Sequence, residues 1–185
     1  YSLCLLVAGL FTYLRWHYRW ILSFSTLLAS VFLVINLCRP EILDQTLAPA
    51  LQSGWFVPHV ATYMFSYGLL GCATLLALYG LFRPARDLRN AIERLIYGGV
   101  GLFTVGMLTG ALWAKQAWGA YWSWDPKEVW ALITLLIYAL PLHAASFPWF
   151  RRPKFFHIYL IFAFFSVLIT YFGVNFFLGG MHSYA

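Results

Sequence analysis

Charge is what this sequence has least of. Among 185 residues there are twelve Lys or Arg and six Asp or Glu, 10% in all, against 62% hydrophobic residues. With a mean hydropathy of +0.74, a soluble domain of this size has no core large enough to hide the apolar surface, so the solvent is lipid. Sustained apolar/polar alternation is also missing, as is a period of ~10 residues, which excludes a transmembrane barrel. Cysteine is sparse: Cys4, Cys38 and Cys72 lie scattered in or at the ends of apolar runs. Without a C-x-x-C they exclude thiol–disulfide exchange, and each reads as a small buried hydrophobe. No Met and no charged region precede the apolar run at Tyr1, so it is not a signal peptide. It reads as a chain cut inside a span, with one or more spans ahead of it. No basic stretch interleaves with polar surface aromatics, so no nucleic-acid partner is expected.

What is present is a series of apolar runs long enough, at about 1.5 Å per helical residue, to cross ~30 Å of hydrocarbon. They predict an all-α, polytopic membrane helical bundle of about six transmembrane helices, near 1–14, 20–38, 59–82, 95–114, 129–148 and 155–178. Residues 1–44 carry the first two helices and residues 45–185 the rest. Loops on one side hold Arg15, Arg19, Arg83, Arg86, Arg89, Arg94, Arg151, Arg152 and Lys154; the other side holds Arg39, Lys115 and Lys127. That asymmetry puts the basic side in the cytoplasm by the positive-inside rule. The net charge of +6 then reflects topology and contact with anionic lipid. This orientation brings segment 39–58, the region 113–130 and the C-terminal tail to one outer surface, with His59 opening the third span and His182 following the sixth.

Region 113–130 reads Trp113-Ala-Lys-Gln-Ala-Trp118-Gly119-Ala-Tyr121-Trp122-Ser-Trp124-Asp125-Pro126-Lys127-Glu128-Val-Trp130, five Trp and one Tyr in eighteen residues. An interfacial aromatic belt accounts for one or two of these. It does not account for their concentration here, which suits a shelf for a large flat π-system. Gly119 allows a tight bend. Asp125, Pro126 and Glu128 have the spacing of an N-cap, a first helical Pro and a capping-box carboxylate, so Asp125 and Glu128 are explained equally by capping the fifth span.

His59 and His182 are candidate axial ligands of a haem iron, because neutral imidazoles from opposite faces complete six-coordination. Either one alone reads as an interfacial polar residue; the indole-rich neighbour favours ligation. Gly179-Gly180 would let the chain turn back over the surface, and Met181 reads as packing. His143 lies about fourteen residues into the fifth span, roughly 21 Å from its outer end. An ionisable group at that depth is either a ligand, a proton relay or a histidine bonded to a neighbouring helix. His157 and His17 read as interfacial. The glycines of the fourth span, Gly98, Gly99, Gly101, Gly106 and Gly110, suit close helix packing.

The stretch from Trp118-Gly119 through Trp122-Ser-Trp124-Asp125-Pro126-Lys127-Glu128-Val-Trp130, running into Leu132-Ile133, resembles the tryptophan-rich WWD signature of haem-handling proteins in cytochrome c maturation. With Tyr138 and Leu142-His143 it is most similar to the CcsA (ResC) family, as is Leu47-Ala48-Pro49-Ala50-Leu51-Gln52-Ser53 leading to His59. The likeness covers about residues 45–185. It implies haem b held by the WWD segment, Trp118, Gly119, Trp122, Trp124 and Asp125, between two external histidines matching His59 and His182. It implies an intramembrane histidine, matching His143, that pairs with one from a CcsB (ResB)-type partner, separate or fused. No second histidine of that depth is evident here.

The function so implied is cytochrome c maturation (system II), in which haem is presented to the C-x-x-C-H of an apocytochrome c as part of a haem lyase with CcsB. The setting is the cytoplasmic membrane, with the site facing the periplasm, or the lumen in a plastid. Lys115 or Arg39 would pair the propionates, and no general acid or base stands out. Three other readings stay open: a haem exporter or carrier that serves a separate ligase, a bis-histidine cytochrome b subunit, and a membrane scaffold without cofactor. The cytochrome b reading expects histidines paired at matching depth on facing spans.

Overall fold

In lipid a spanning segment must satisfy its own backbone polar groups, and the described residues do so with helices. A computed structural model describes residues 2–38, 49–83, 87–144, 146–174 and 180–182. Its helices are α1 (Ser2–Trp16), α2 (Arg19–Cys38), α3 (Phe56–Phe82), α4 (Leu88–Trp118), α5 (Pro126–Leu142) and α6 (Pro153–Leu168). A π-helical turn, Ile169–Gly173, continues α6, and 3₁₀ turns precede α3 and α6.

The fold class is all-α. Among the described residues, four segments are long and apolar enough to cross a membrane: Arg19–Cys38, Phe56–Phe82, Leu88–Trp118 and Pro153–Gly173. Helices α1 and α5, of 15 and 17 residues, are apolar but shorter. Three boundaries differ from the expected spans. Helix α4 runs well beyond 95–114 at both ends, because charges end an apolar run but not a helix. Arg89 pairs with Glu93 one turn on (2.7 Å), and Arg94 with Asn90 (3.1 Å). The helix stops at Gly119, whose φ of +82° makes it a left-handed cap, its N–H bonded to the Lys115 carbonyl. Trp113 to Trp118 are therefore helical, and only 119–125 of the expected outer loop 113–130 lie outside helices.

Helix α5 ends at Leu142 rather than near 148. Pro148 holds Phe147 extended (φ −117°, ψ 102°), and 3₁₀-type bonds from the His143 N–H to the Leu140 carbonyl and from the Ala144 N–H to the Pro141 carbonyl already close the last turn. In the sixth span, residues 175–178 lie outside the described residues, as do Arg39, Arg86, Leu47, Ala48 and Gly179.

Helix α3 is the hub, packed along α4 and touching α1 and α6. Its partner presents Gly99 and Gly106 to Leu70 and Tyr63, the close packing expected there, whereas at Gly101, expected to pack likewise, a Cβ would meet nothing within 4 Å because that side of α4 is exposed. The Ser66 hydroxyl donates to the Gly99 carbonyl (2.7 Å) between them. The buried set is continuous: Ala8 and Ile21 belong to the same core as Leu70, Leu76, Ile92, Phe103 and Leu160. Large apolar side chains on the outside, such as Leu27, Leu108 and Phe162, suit lipid contact.

Basic residues gather at one end of the bundle. There the Arg89 guanidinium donates to the Phe150 carbonyl (2.7 Å) and lies over the Phe156 ring (4.4 Å). His157, expected at an interface, is instead buried beside Gly80. Of the cysteines, Cys72 is buried as expected, Cys4 is half-buried and Cys38 is exposed.

Phe103 is 1% exposed and Phe162 67%, so one ring supports protein and the other faces outward. Phe103→Ala should cost about 3–5 kcal/mol and clearly lower the thermal midpoint in detergent. Phe162→Ala should leave it close to wild type; equal losses would contradict this packing.

Candidate functional site

Four helix termini meet at the end of the bundle opposite the basic one: the start of α3, the end of α4, the start of α5 and the turn after α6. They enclose a cavity of about 520 Å³, within the range of small-molecule and cofactor sites. Its walls include His59, Tyr63, Trp113, Tyr121, Trp122 and His182. Met64, Tyr67, Met107, Thr170 and Tyr171 also line it. His59 and Tyr67 are two turns apart on α3, so the cavity reaches roughly 12 Å along that helix.

His59 sits in the first turn of α3 against α4. Its Nδ1 lies 2.9 Å from the Gly106 carbonyl oxygen. A carbonyl only accepts, so Nδ1 carries the proton and donates it, and Nε2 keeps its lone pair. The ring stacks on Trp113 (5.4 Å, 21°) and meets the edge of Tyr63 (5.0 Å). Gly110 makes this possible: a Cβ there would lie 2.6 Å from the imidazole.

His182 arrives from the opposite wall. Its Nδ1 is 2.9 Å from the Asp125 carboxylate, which is also only an acceptor, so again the proton is on Nδ1 and Nε2 is the available atom. Its ring packs at the edges of Trp118 (4.7 Å) and Trp113 (5.4 Å). Trp113 thus touches both imidazoles, each 5.4 Å from its ring. Burial holds the His182 imidazole below the ordinary histidine pKa despite the opposing pull of Asp125. Neutral imidazole is the form that ligates a metal.

Asp125 starts α5 as the sequence pattern predicts. It caps the helix by accepting from the Lys127 N–H (3.0 Å), while Glu128 reaches back to the Asp125 N–H (3.2 Å) and to Ser123 N–H (2.8 Å). Its other oxygen accepts from the Met181 N–H (2.6 Å). Burial works to raise the Asp125 carboxyl, but the donors from Lys127, His182 and Met181 outweigh it and hold the group below its usual value.

The remaining expected residues take different places. Trp122 is on the cavity wall, whereas Trp118 buttresses His182 from behind. Trp124 is 71% exposed with φ of +59° and meets Trp122 edge-on (5.8 Å). Gly119 caps α4 and does not line the cavity. The Lys115 ammonium donates to the Gly119 carbonyl (2.7 Å) and lies over the Tyr121 ring (5.4 Å), at the rim. His143 is apart from all of these, exposed at the C-terminus of α5, with Nδ1 2.8 Å from the Ala139 carbonyl.

Trp113, where the expected fourth span overlaps the Trp-rich region, is a helical residue only 1% exposed. Other wall residues carry no signal in the sequence. Thr170 and Tyr171 belong to the π turn, where the Val174 N–H reaches back five residues to Ile169; such turns are frequent at functional sites. Lys127 and Glu128 read as part of a cap and also line the cavity.

The donor set constrains what can bind. Among the described residues no group of three or more His, Cys, Asp or Glu gathers to hold a bare ion. Two histidines with free Nε2 atoms and an aromatic wall fit an iron that brings its other four ligands in a flat macrocycle.

Comparison with known proteins points the same way. The model of the cytochrome C assembly protein family matches residues 1–182, well beyond the 45–185 covered by the motif likeness. The chain is 37% identical to Protein NrfI of Wolinella succinogenes, over 91% of this chain and 20% of that protein. It is 36% identical to the cytochrome c biogenesis protein CcsA of Chlamydomonas reinhardtii, over 86% of this chain and 48% of that one. To CcsA of Guillardia theta it is also 36% identical, over 89% and 62%. It therefore spans less than two thirds of the length of each of these relatives. On a match this extensive, the chain belongs to the cytochrome C assembly protein family.

Proposed function

We propose that this chain serves cytochrome c maturation by holding haem b between His59 and His182 at the outer membrane face and presenting it to an apocytochrome c. One observation carries the reading: both imidazoles give their Nδ1 proton to a fixed acceptor and line the same aromatic cavity. Each is left with Nε2, oriented by its second partner as metal-ligating histidines are.

The chain's residues bind, orient and shield. Trp113, Tyr121 and Trp122 offer ring faces and edges to a flat ligand, and their low rotamer freedom keeps the ordering cost small. Lys127 on the wall and Lys115 at the rim are the described cations suited to the propionates; Arg39 lies outside the described residues. Bound haem supplies two vinyl groups, and each thiol of a C-x-x-C-H segment adds its sulfur to one vinyl carbon and its hydrogen to the other. The protein contributes position and exclusion of side reactions.

The positive-inside asymmetry supports six spans, with this cavity facing the periplasm or a plastid lumen. A CcsB-type membrane protein, separate or fused, is the proposed partner. His143 supports this: it is exposed at a helix end with Nε2 available, as a ligand shared with a partner's histidine would be. His59 and His182 come from a helix and a tail rather than two facing spans, which disfavours an electron-transfer cytochrome b.

The full-length protein, purified with its membrane partner, should carry haem visible in its reduced spectrum. His59→Ala and His182→Ala should each lower bound haem about tenfold or more, with recovery when imidazole is supplied. Full haem and unchanged ligation in both variants would refute the site. Transfer to an apocytochrome lacking its two cysteines would instead favour a carrier.

Gly110→Ala should lower haem retention in the same assay, because the new methyl displaces His59 from the Gly106 carbonyl. Gly101→Ala, where a Cβ meets nothing within 4 Å, should match wild type. Equal retention in the two would mean that the His59 placement does not matter.

A further inference from the structure

Asp125 does not line the cavity, although it lies in the motif that marks the site. Its side chain is 2% exposed, and that of His182 is 12%. A carboxylate so buried is costly unless its lone pairs are filled. One oxygen takes the Lys127 N–H and the His182 Nδ1–H; the other takes the Met181 N–H. The helix cap needs only the first of these. The other two reach across 56 and 57 residues of sequence to hold the tail and its imidazole.

The two histidines have unlike acceptors. His59 donates to a neutral carbonyl, Gly106, and His182 to a carboxylate. A charged acceptor draws the Nδ1 proton more strongly and makes Nε2 the better electron donor. Such a ligand favours the higher oxidation state of a bound iron.

Resting on the haem reading above, we infer that Asp125 is a positioning residue: its carboxylate fixes the His182 tautomer and ring, and lowers the reduction potential of the iron that His182 ligates. Nothing in a helix-capping role alone requires this. Asn and Ser both cap helices about as well as Asp, but neither carries the charge.

The test uses the full-length protein with its partner, loaded with haem, and compares wild type with Asp125→Asn and Asp125→Ser. Asp125→Asn keeps the cap and a neutral acceptor for Nδ1. It should retain haem, with the ferric-to-ferrous ratio at the wild-type midpoint lowered about tenfold, a shift of 59 mV upward for one electron. Asp125→Ser keeps the cap but is too short to reach the imidazole, so haem affinity should fall about 10–100-fold and recover with added imidazole. Far-ultraviolet helicity near wild type in both variants would show that the cap persists.

If wild type carries haem and His182→Ala loses it, yet both Asp125 variants keep the wild-type potential and affinity, the inference fails and the haem reading stands. A wild-type protein free of haem overturns both.

Discussion

A single buried carboxylate holds the cavity end of this protein together. Asp125 accepts from the first turn of α5, from the backbone of the tail and from the ring of His182. Charge-assisted bonds of this kind contribute about 1.5–3 kcal/mol each, and leaving their donors unpaired in a buried place costs a comparable amount. Burial makes the arrangement cooperative: the carboxylate needs all three donors, and each donor needs the carboxylate. The position of one helix start thus becomes the position of a distant chain segment.

A second constraint comes from the α3–α4 contact. The Gly106 carbonyl receives the His59 Nδ1–H (2.9 Å) and the Thr109 hydroxyl (3.1 Å). Only an α4 surface without side chains lets the imidazole come that close, and Gly106 and Gly110 supply it one turn apart. The same small residues that pack the two helices therefore orient a functional ring. Packing and site are one structural fact at this place.

The sequence revealed the helices, the approximate order of the spans and the meeting of His59, His182 and the Trp-rich segment at one end. It did so because hydropathy and loop charge report directly on lipid contact and side. The Asp125-Pro126-Lys127-Glu128 cap was legible because its spacing is local. What escaped were features set by tertiary contact. Hydropathy ends α4 where its charges begin, so the helical continuation through Lys115 to Trp118, which carries Trp118 to His182, is not legible. The π turn at Ile169–Gly173 leaves no mark in a mostly apolar stretch, and the Asp125–His182 bond joins residues with no sequence relation. His143 was placed by counting along a span that the Phe147-Pro148 pair in fact cuts short.

The two histidines are mounted in different ways, and the difference has a physical basis. His59 belongs to a 27-residue helix at the centre of the bundle, with a backbone carbonyl as its second partner and a stacked indole on one face. Moving it means unpacking α3 from α4. His182 belongs to a tail whose described part is held by one carboxylate and two indole edges. Moving it breaks two hydrogen bonds and leaves every helix in place. The rigid wall of the cavity is accordingly the α3–α4 pair, and the adjustable wall is the tail, with Asp125 setting how firmly the second closes on the first.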